Sequence, residues 1–144
     1  MIAPGSTLFV YGTLRRGGSN DIAGIAPAAR FVCAARLRGR LIDLGQYPTL
    51  LIDPRAGWVI GELYAVPRTA WPALDALEEL ADSARPAGEY FRVAASVTDA
   101  LGAHRSCQVY VANPAALRPR RVIEGGDWMA HLAASHKSAR DTAP

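Results

Sequence analysis

Leu8-Phe9-Val10-Tyr11-Gly12-Thr13-Leu14-Arg15-Arg16-Gly17-Gly18 runs from a string of β-formers into a short, polar, glycine-flanked break. A strand that stops this way turns its backbone N–H groups outward, where an anionic group can sit. The segment therefore reads as the first strand, Thr7 to Tyr11, followed by a candidate ligand cradle. Working outward, Asn20 to Ala29 has room for one short helix. Phe31 to Leu44 alternates, with Arg36, Arg38 and Arg40 on one face and Leu37, Gly39 and Leu41 on the other. It predicts a long strand with a bulge near Ala35. A turn at 45–48 leads to a strand over Thr49 to Ile52, and Asp53 to Gly57 makes a hairpin connection to a strand over Trp58 to Val66. After Pro67 the period changes. Thr69 is positioned to cap a helix with Leu74, Leu77, Trp71 and Leu80 as its apolar positions. Glu89 to Thr98 and Arg105 to Val111 form an antiparallel pair across a Gly102 turn. Asp127 can cap a last helix from Trp128 to about His136. Six or so closely spaced strands with two or three helices, and no regular strand–helix alternation, predict an α+β domain. Closure into a small barrel would remove its edge strands.

The length of 144 residues and an apolar fraction of 50% suit one domain with a single core. We assign residues 1–137 to that domain and 138–144 to a frayed tail. Cys33 and Cys107 lie far apart inside apparent strands, as reduced core thiols would, and no zinc-type spacing surrounds them. The formal charge is +3, and Lys137 is the single lysine among 16 basic residues. Such arginine richness without interleaved aromatic clusters is a compositional bias rather than a nucleic-acid footprint. Arg36, Arg38 and Arg40 read as a solvated strand face in preference to a phosphate-binding stripe. No apolar run is long enough to span a membrane, and the N-terminal residues do not resemble a secretory signal, so the cytoplasm is the expected location.

No Gly-x-Ser-x-Gly elbow, Walker loop or dinucleotide fingerprint is present. His104, His131 and His136 stand in no recognisable frame with a Cys or Ser, which disfavours a triad hydrolase or a metalloenzyme. The middle helix carries the more interesting acids, in Leu74-Asp75-Ala76-Leu77-Glu78-Glu79-Leu80. Asp75 and Glu78 share a helix face beside apolar positions. A carboxylate at such a border is partly desolvated, as a group shuttling protons near neutral pH must be. An ordinary acidic helix surface has the same spacing. Glu62, within Trp58-Val59-Ile60-Gly61-Glu62-Leu63-Tyr64, is either a solvent-side residue or an inward group with a partner. Tyr90 and Arg92 share a strand face, and each is a candidate for that partner or for a ligand contact.

Taken in order, six blocks resemble the γ-glutamylcyclotransferase-like (AIG2-like) family. They are Tyr11-Gly12-Thr13-Leu14-Arg15; the stretch from Gly39 to Gly45 with Tyr47-Pro48; Gly61-Glu62-Leu63-Tyr64-Ala65-Val66; Leu74-Asp75-Ala76-Leu77-Glu78; Tyr90-Phe91-Arg92; and the stretch from Val122 to Trp128. Together they cover about residues 7 to 128. The resemblance implies a small mixed β-barrel flanked by helices. It implies that the loop Tyr11, Gly12, Thr13 and Leu14 donates N–H groups to substrate at the barrel mouth, with Tyr90 and Arg92 also contacting it. Glu78 would be the catalytic acid/base. The implied reaction is an intramolecular aminolysis that turns a γ-glutamyl amine or γ-glutamyl amino acid into 5-oxoproline, with no metal or organic cofactor and no nucleic-acid or membrane partner. The loop donors would hold either the α-carboxylate or the developing oxyanion. The competing reading is a small-molecule binding or regulatory module that keeps the cavity without the chemistry.

Overall fold

The computed structural model describes residues 7–44, 47–77, 90–112 and 122–141. Strand β1 (Thr7–Val10) is buried along its whole length. Its two faces serve two cores. Phe9 points into one cluster with Leu37, Val59, Leu63 and Val109, while Leu8 and Val10 join a second with Ile22, Val66 and Leu74. This explains why the segment reads as a continuous apolar run rather than an alternating one.

The barrel closes through one long strand. β2 (Arg30–Asp43) pairs antiparallel with β4 (Trp58–Ala65) over its first part and with β3 (Pro48–Ile52) over its last part. β4 also pairs with β1, and β1 runs parallel to β6 (His104–Ala112). β6 pairs antiparallel with β5 (Tyr90–Asp99), which returns to β2 at Ala35↔Asp99 and Arg36↔Thr98. The ring β2-β4-β1-β6-β5 is therefore a closed, mixed barrel, and β3 and the short β7 (Val122–Ile123) extend the sheet beyond it along β2. Three short helical elements and one longer helix surround it: α1 (Ile22–Ile25), a 3-10 turn (Arg68–Ala70), α2 (Trp71–Leu77) and α3 (Trp128–Asp141). The expected α+β barrel flanked by helices is what forms.

Three local expectations change. The register shift in β2 falls between Phe31 and Cys33 rather than near Ala35. Ala35 and Leu37 already point inward in one phase, so the extra residue has to come earlier, at Val32. Thr69 does not cap a helix. The 3-10 turn starts after Pro67, whose carbonyl accepts from the Ala70 N–H at 2.9 Å, and the helix then continues through Trp71 and Pro72. The last helix reaches Asp141, not His136. Its predicted cap is present, with the Asp127 carboxylate accepting from the Ala130 N–H at 3.1 Å.

Arg36, Arg38 and Arg40 are exposed on one face, as the alternation requires. Arg36 and Arg38 lie over the Trp58 ring at 4.4 and 3.8 Å. Cys33 and Cys107 are free thiols, and burial pushes the Cys107 thiol up to about 12. Among the described residues no helix is long and apolar enough to cross a membrane. A second short group of arginines close in sequence, Arg118, Arg120 and Arg121, lies outside the described residues.

Candidate active site

Where β1 ends, the chain leaves the sheet and winds back on itself before α1. The Asn20 N–H donates to the Thr13 carbonyl at 2.9 Å and the Ile22 N–H to the Leu14 carbonyl at 3.0 Å. Asp21 fastens the far side by accepting from the N–H groups of Gly17 and Ala23. These two donors hold the Asp21 carboxyl below its usual range. The carbonyls of the turn are thus used inward. Among the described residues, the N–H groups of Gly12, Thr13 and Leu14 meet no protein acceptor. Gly12 is required by proximity: a Cβ there would stand 2.7 Å from Cγ and 2.9 Å from Cδ of Pro48.

Gly12, Thr13 and Leu14 line a cavity of about 490 Å³. Of the residues singled out from the sequence, Tyr11, Gly12, Thr13, Leu14 and Tyr90 line it. Tyr47, Pro48, Tyr110, Trp128 and Leu132 complete much of an aromatic and apolar wall, and Ser19 and Asn20 add polar groups near the loop. Leu77 reaches it from the end of α2. Glu78, the residue that follows, lies outside the described residues, as does Glu79. Arg92 is not among the lining residues. Its guanidinium donates to both carboxylate oxygens of Asp75 at 2.8 and 2.9 Å and lies 4.5 Å over the Trp71 ring.

Asp75 also accepts from the Tyr110 hydroxyl at 2.6 Å, and the Tyr11 hydroxyl donates to the Tyr110 carbonyl at 2.6 Å. A chain of contacts thus joins α2, β5, β6 and the loop. Burial, followed by the bond to Asp75, holds the Tyr110 phenol far above the usual range. It remains protonated and committed to Asp75 as a donor. Asp75 is therefore already engaged by a cation and a phenol.

Glu62 has a partner that the sequence left open, and it is neither Tyr90 nor Arg92. Glu62 lies opposite Val10 in the β1–β4 register. Its carboxylate accepts from Arg15 Nε at 2.6 Å and from the Arg16 N–H at 3.0 Å. Arg15 Nη1 donates to Asp127 at 2.8 Å. One guanidinium thus joins the loop to β4 and to the cap of α3. Gly126, at φ +63°, allows this closeness, since a side chain there would meet the Trp58 backbone. On the same helix His131 Nε2 lies 3.2 Å from Asp43, and its ring packs beside that of Trp128. Among the described residues no three His, Cys, Asp or Glu side chains group as metal ligands would.

Sequence reading missed Arg15, Asp127 and Tyr110 as parts of the site. The first two belong to quoted blocks, but nothing in one strand's pattern says which distant acid an arginine meets. Tyr110 stands within a plain β-run and carries no signal of its own.

The family described as Gamma-glutamyl cyclotransferase, AIG2-like matches residues 8–130. A protein of Halalkalibacterium halodurans, provisionally named a gamma-glutamylcyclotransferase, is 38% identical over 63% of this chain and 78% of its own length. The gamma-L-glutamyl-butirosin B gamma-glutamyl cyclotransferase of Niallia circulans is 34% identical over 67% of the chain and 61% of that protein. Among solved structures, YkqA from Bacillus subtilis superposes with a TM-score of 0.73 at 25% identity over 92% of the chain. The chain spans 42% of YkqA. An AIG2-like protein of Mus musculus gives 0.64 at 27% identity, covering 81% of this chain and 82% of that one.

Proposed function

The chain belongs to the gamma-glutamyl cyclotransferase, AIG2-like family, and from that premise we propose that it is a cyclotransferase that releases 5-oxoproline from a γ-glutamyl amine or γ-glutamyl amino acid. The observation that carries this reading is the set of three N–H donors at Gly12, Thr13 and Leu14, without protein acceptors among the described residues, at the edge of an aromatic-walled cavity. Such a set suits one end of a γ-glutamyl group, its α-carboxylate or the oxyanion formed at its γ-carbonyl.

In the proposed reaction the substrate's α-nitrogen attacks its own γ-carbonyl carbon. A C–N bond forms within a five-membered lactam, and the bond from the γ-carbon to the leaving nitrogen breaks. On becoming the lactam N–H the attacking ammonium gives up two protons, and the departing nitrogen takes up two on leaving as an ammonium. The nucleophile is tethered, so positioning supplies much of the acceleration. A single carboxylate of intermediate pKa can take the first proton and return it. We assign that role to Glu78 by its place in Leu74-Asp75-Ala76-Leu77-Glu78. The engagement of Asp75 by Arg92 and Tyr110 supports this choice over Asp75. The proposed substrate contacts are Tyr11, Gly12, Thr13, Leu14 and Tyr90. Arg92, expected to touch substrate, is better placed to hold Asp75.

A panel of γ-glutamyl amines and γ-glutamyl amino acids, assayed for 5-oxoproline, tests the reading. Turnover by the wild type and a loss of about a hundredfold or more in kcat for Glu78→Gln would support it. Absence of 5-oxoproline across the panel, with ligand-dependent stabilisation retained, would instead identify a binding module.

A further inference from the structure

We infer that Arg15 is a positioning residue: it fixes the Gly12–Leu14 donors for a carboxylate of the substrate, through the geometry of its two ion pairs rather than through its charge. The inference rests on the cyclotransferase reading for the identity of the carboxylate, and on the structure alone for the junction.

Arg15 directly follows the three donors in sequence, and its side chain turns away from the cavity they border. Nε meets Glu62 at 2.6 Å and Nη1 meets Asp127 at 2.8 Å, with the Arg15 side chain 13% exposed. Glu62 uses its other oxygen on the Arg16 N–H. The loop is therefore held at two consecutive residues, once through a side chain and once through the backbone, by a single carboxylate on β4. Asp127 extends the hold to α3, whose Trp128 and Leu132 also line the cavity. Donor set and wall share one brace.

The charges argue against direct attraction. One guanidinium faces two carboxylates, so its positive charge is already compensated and is not left over to attract an anion at the loop. Its contribution must lie in where it places the backbone. A planar guanidinium can bind two acids in fixed directions at once, whereas an ammonium at the end of a flexible stem cannot reproduce that fork. Freed from the brace, Gly12 to Leu14 would have to be ordered by the ligand. That ordering costs on the order of 1 kcal/mol per residue, and each 1.4 kcal/mol is tenfold in affinity. Because the α-carboxylate is a bystander to bond making, the loss should fall on KM and spare kcat.

The experiment compares wild type, Arg15→Lys and Asp127→Asn on the best γ-glutamyl substrate, with melting temperatures and backbone ¹⁵N order parameters for Gly12–Leu14. Arg15→Lys keeps the charge, and Asp127→Asn keeps a good helix cap, so both variants should fold. The expected result for Arg15→Lys is a KM raised about tenfold or more with kcat within about threefold, and order parameters falling from about 0.85 toward 0.6. Asp127→Asn should move KM in the same direction by less. A wild-type KM in Arg15→Lys, or a fall confined to kcat, would overturn the positioning role. If the wild type turns over no γ-glutamyl compound, the cyclotransferase reading fails by itself. The junction is then decided by the order parameters alone: unchanged values in Arg15→Lys reject it, and a selective fall at Gly12–Leu14 upholds the brace.

Discussion

The arginines at the barrel mouth and those on the barrel wall are the same residue put to opposite uses. Arg15 is largely buried and meets two carboxylates at 2.6 and 2.8 Å. Arg92 meets both oxygens of Asp75. On the wall, Arg36 and Arg38 lie across the Trp58 ring in solvent, and Arg40 stands 3.9 Å from Asp53. A long cation in water gains little from a neighbouring charge, because solvent screens the pair and holding it ordered costs entropy. The same group with its fork filled in a poorly solvated place fixes the geometry of everything it touches. An arginine count therefore says nothing about function, while burial and partner geometry say a good deal.

The contrast can be broken most severely at its centre. Gly12→Ala would drive a Cβ against Pro48, and overpacking of this kind costs about 1–3 kcal/mol. We expect a clear fall in melting temperature and weakened binding of γ-glutamyl ligands, read by thermal shift and by KM. Normal values for both would mean that Pro48 yields freely and that the tightness of the mouth is immaterial. Next comes Arg92→Met. It leaves Asp75 with Tyr110 but without its cation, at a site only about one quarter exposed on either side. Loss of a charged hydrogen bond there is worth about 1 kcal/mol after allowance for solvent. Denaturant unfolding should show it. A loss of catalysis many times larger than the loss of stability would return Arg92 to the substrate.

The smallest mutational effect belongs to the wall. Arg36→Ala and Arg38→Ala should each lie within about 0.5 kcal/mol of wild type, with kcat and KM unchanged. A substantial change in either kinetic parameter would erase the distinction between wall and mouth. A pH effect sharpens the wall from another side. Asp99 closes the β5–β6 turn, and the hydrogen bond from Arg105, aided by N–H donors, holds its carboxyl below the ordinary range. A lowered folded pKa stabilises the fold above the unfolded value near 3.8 and loses that effect as pH falls through the folded one. Asp99→Asn should therefore lower stability at neutral pH and lose less than wild type on acidification below about pH 4, measured by melting temperature against pH.

Much of the fold was legible because barrel strands advertise themselves one at a time. The alternation of Arg36, Arg38 and Arg40 with Leu37, Gly39 and Leu41 is a property of one strand, and so is the apolar run Leu8-Phe9-Val10. The bulge was harder to place. Its position depends on which residues of β4 oppose β2, so Val32 rather than Ala35 became the extra residue. The cap at Asp127 was readable, being an interaction over three residues. The cap at Thr69 was misread because Pro67 and the 3-10 turn offered a backbone alternative.

The site divides along the same line. The sequence by itself determined that Tyr11-Gly12-Thr13-Leu14 ends a strand in a donor-rich turn, that Asp75 and Glu78 are three positions apart, the spacing of one helix face, and which family the blocks resemble. These are short-range facts, set by backbone periods and by glycine. Only the tertiary structure decided that Glu62 belongs to Arg15, that Arg92 is held by Asp75, and that Tyr110 joins the chain of contacts behind the cavity. Those pairings, together with that of Arg15 and Asp127, link residues from 17 to 112 positions apart. A charged side chain in a sequence has many possible partners, and barrel closure leaves it few, because the enclosed wall excludes the water that would otherwise satisfy it.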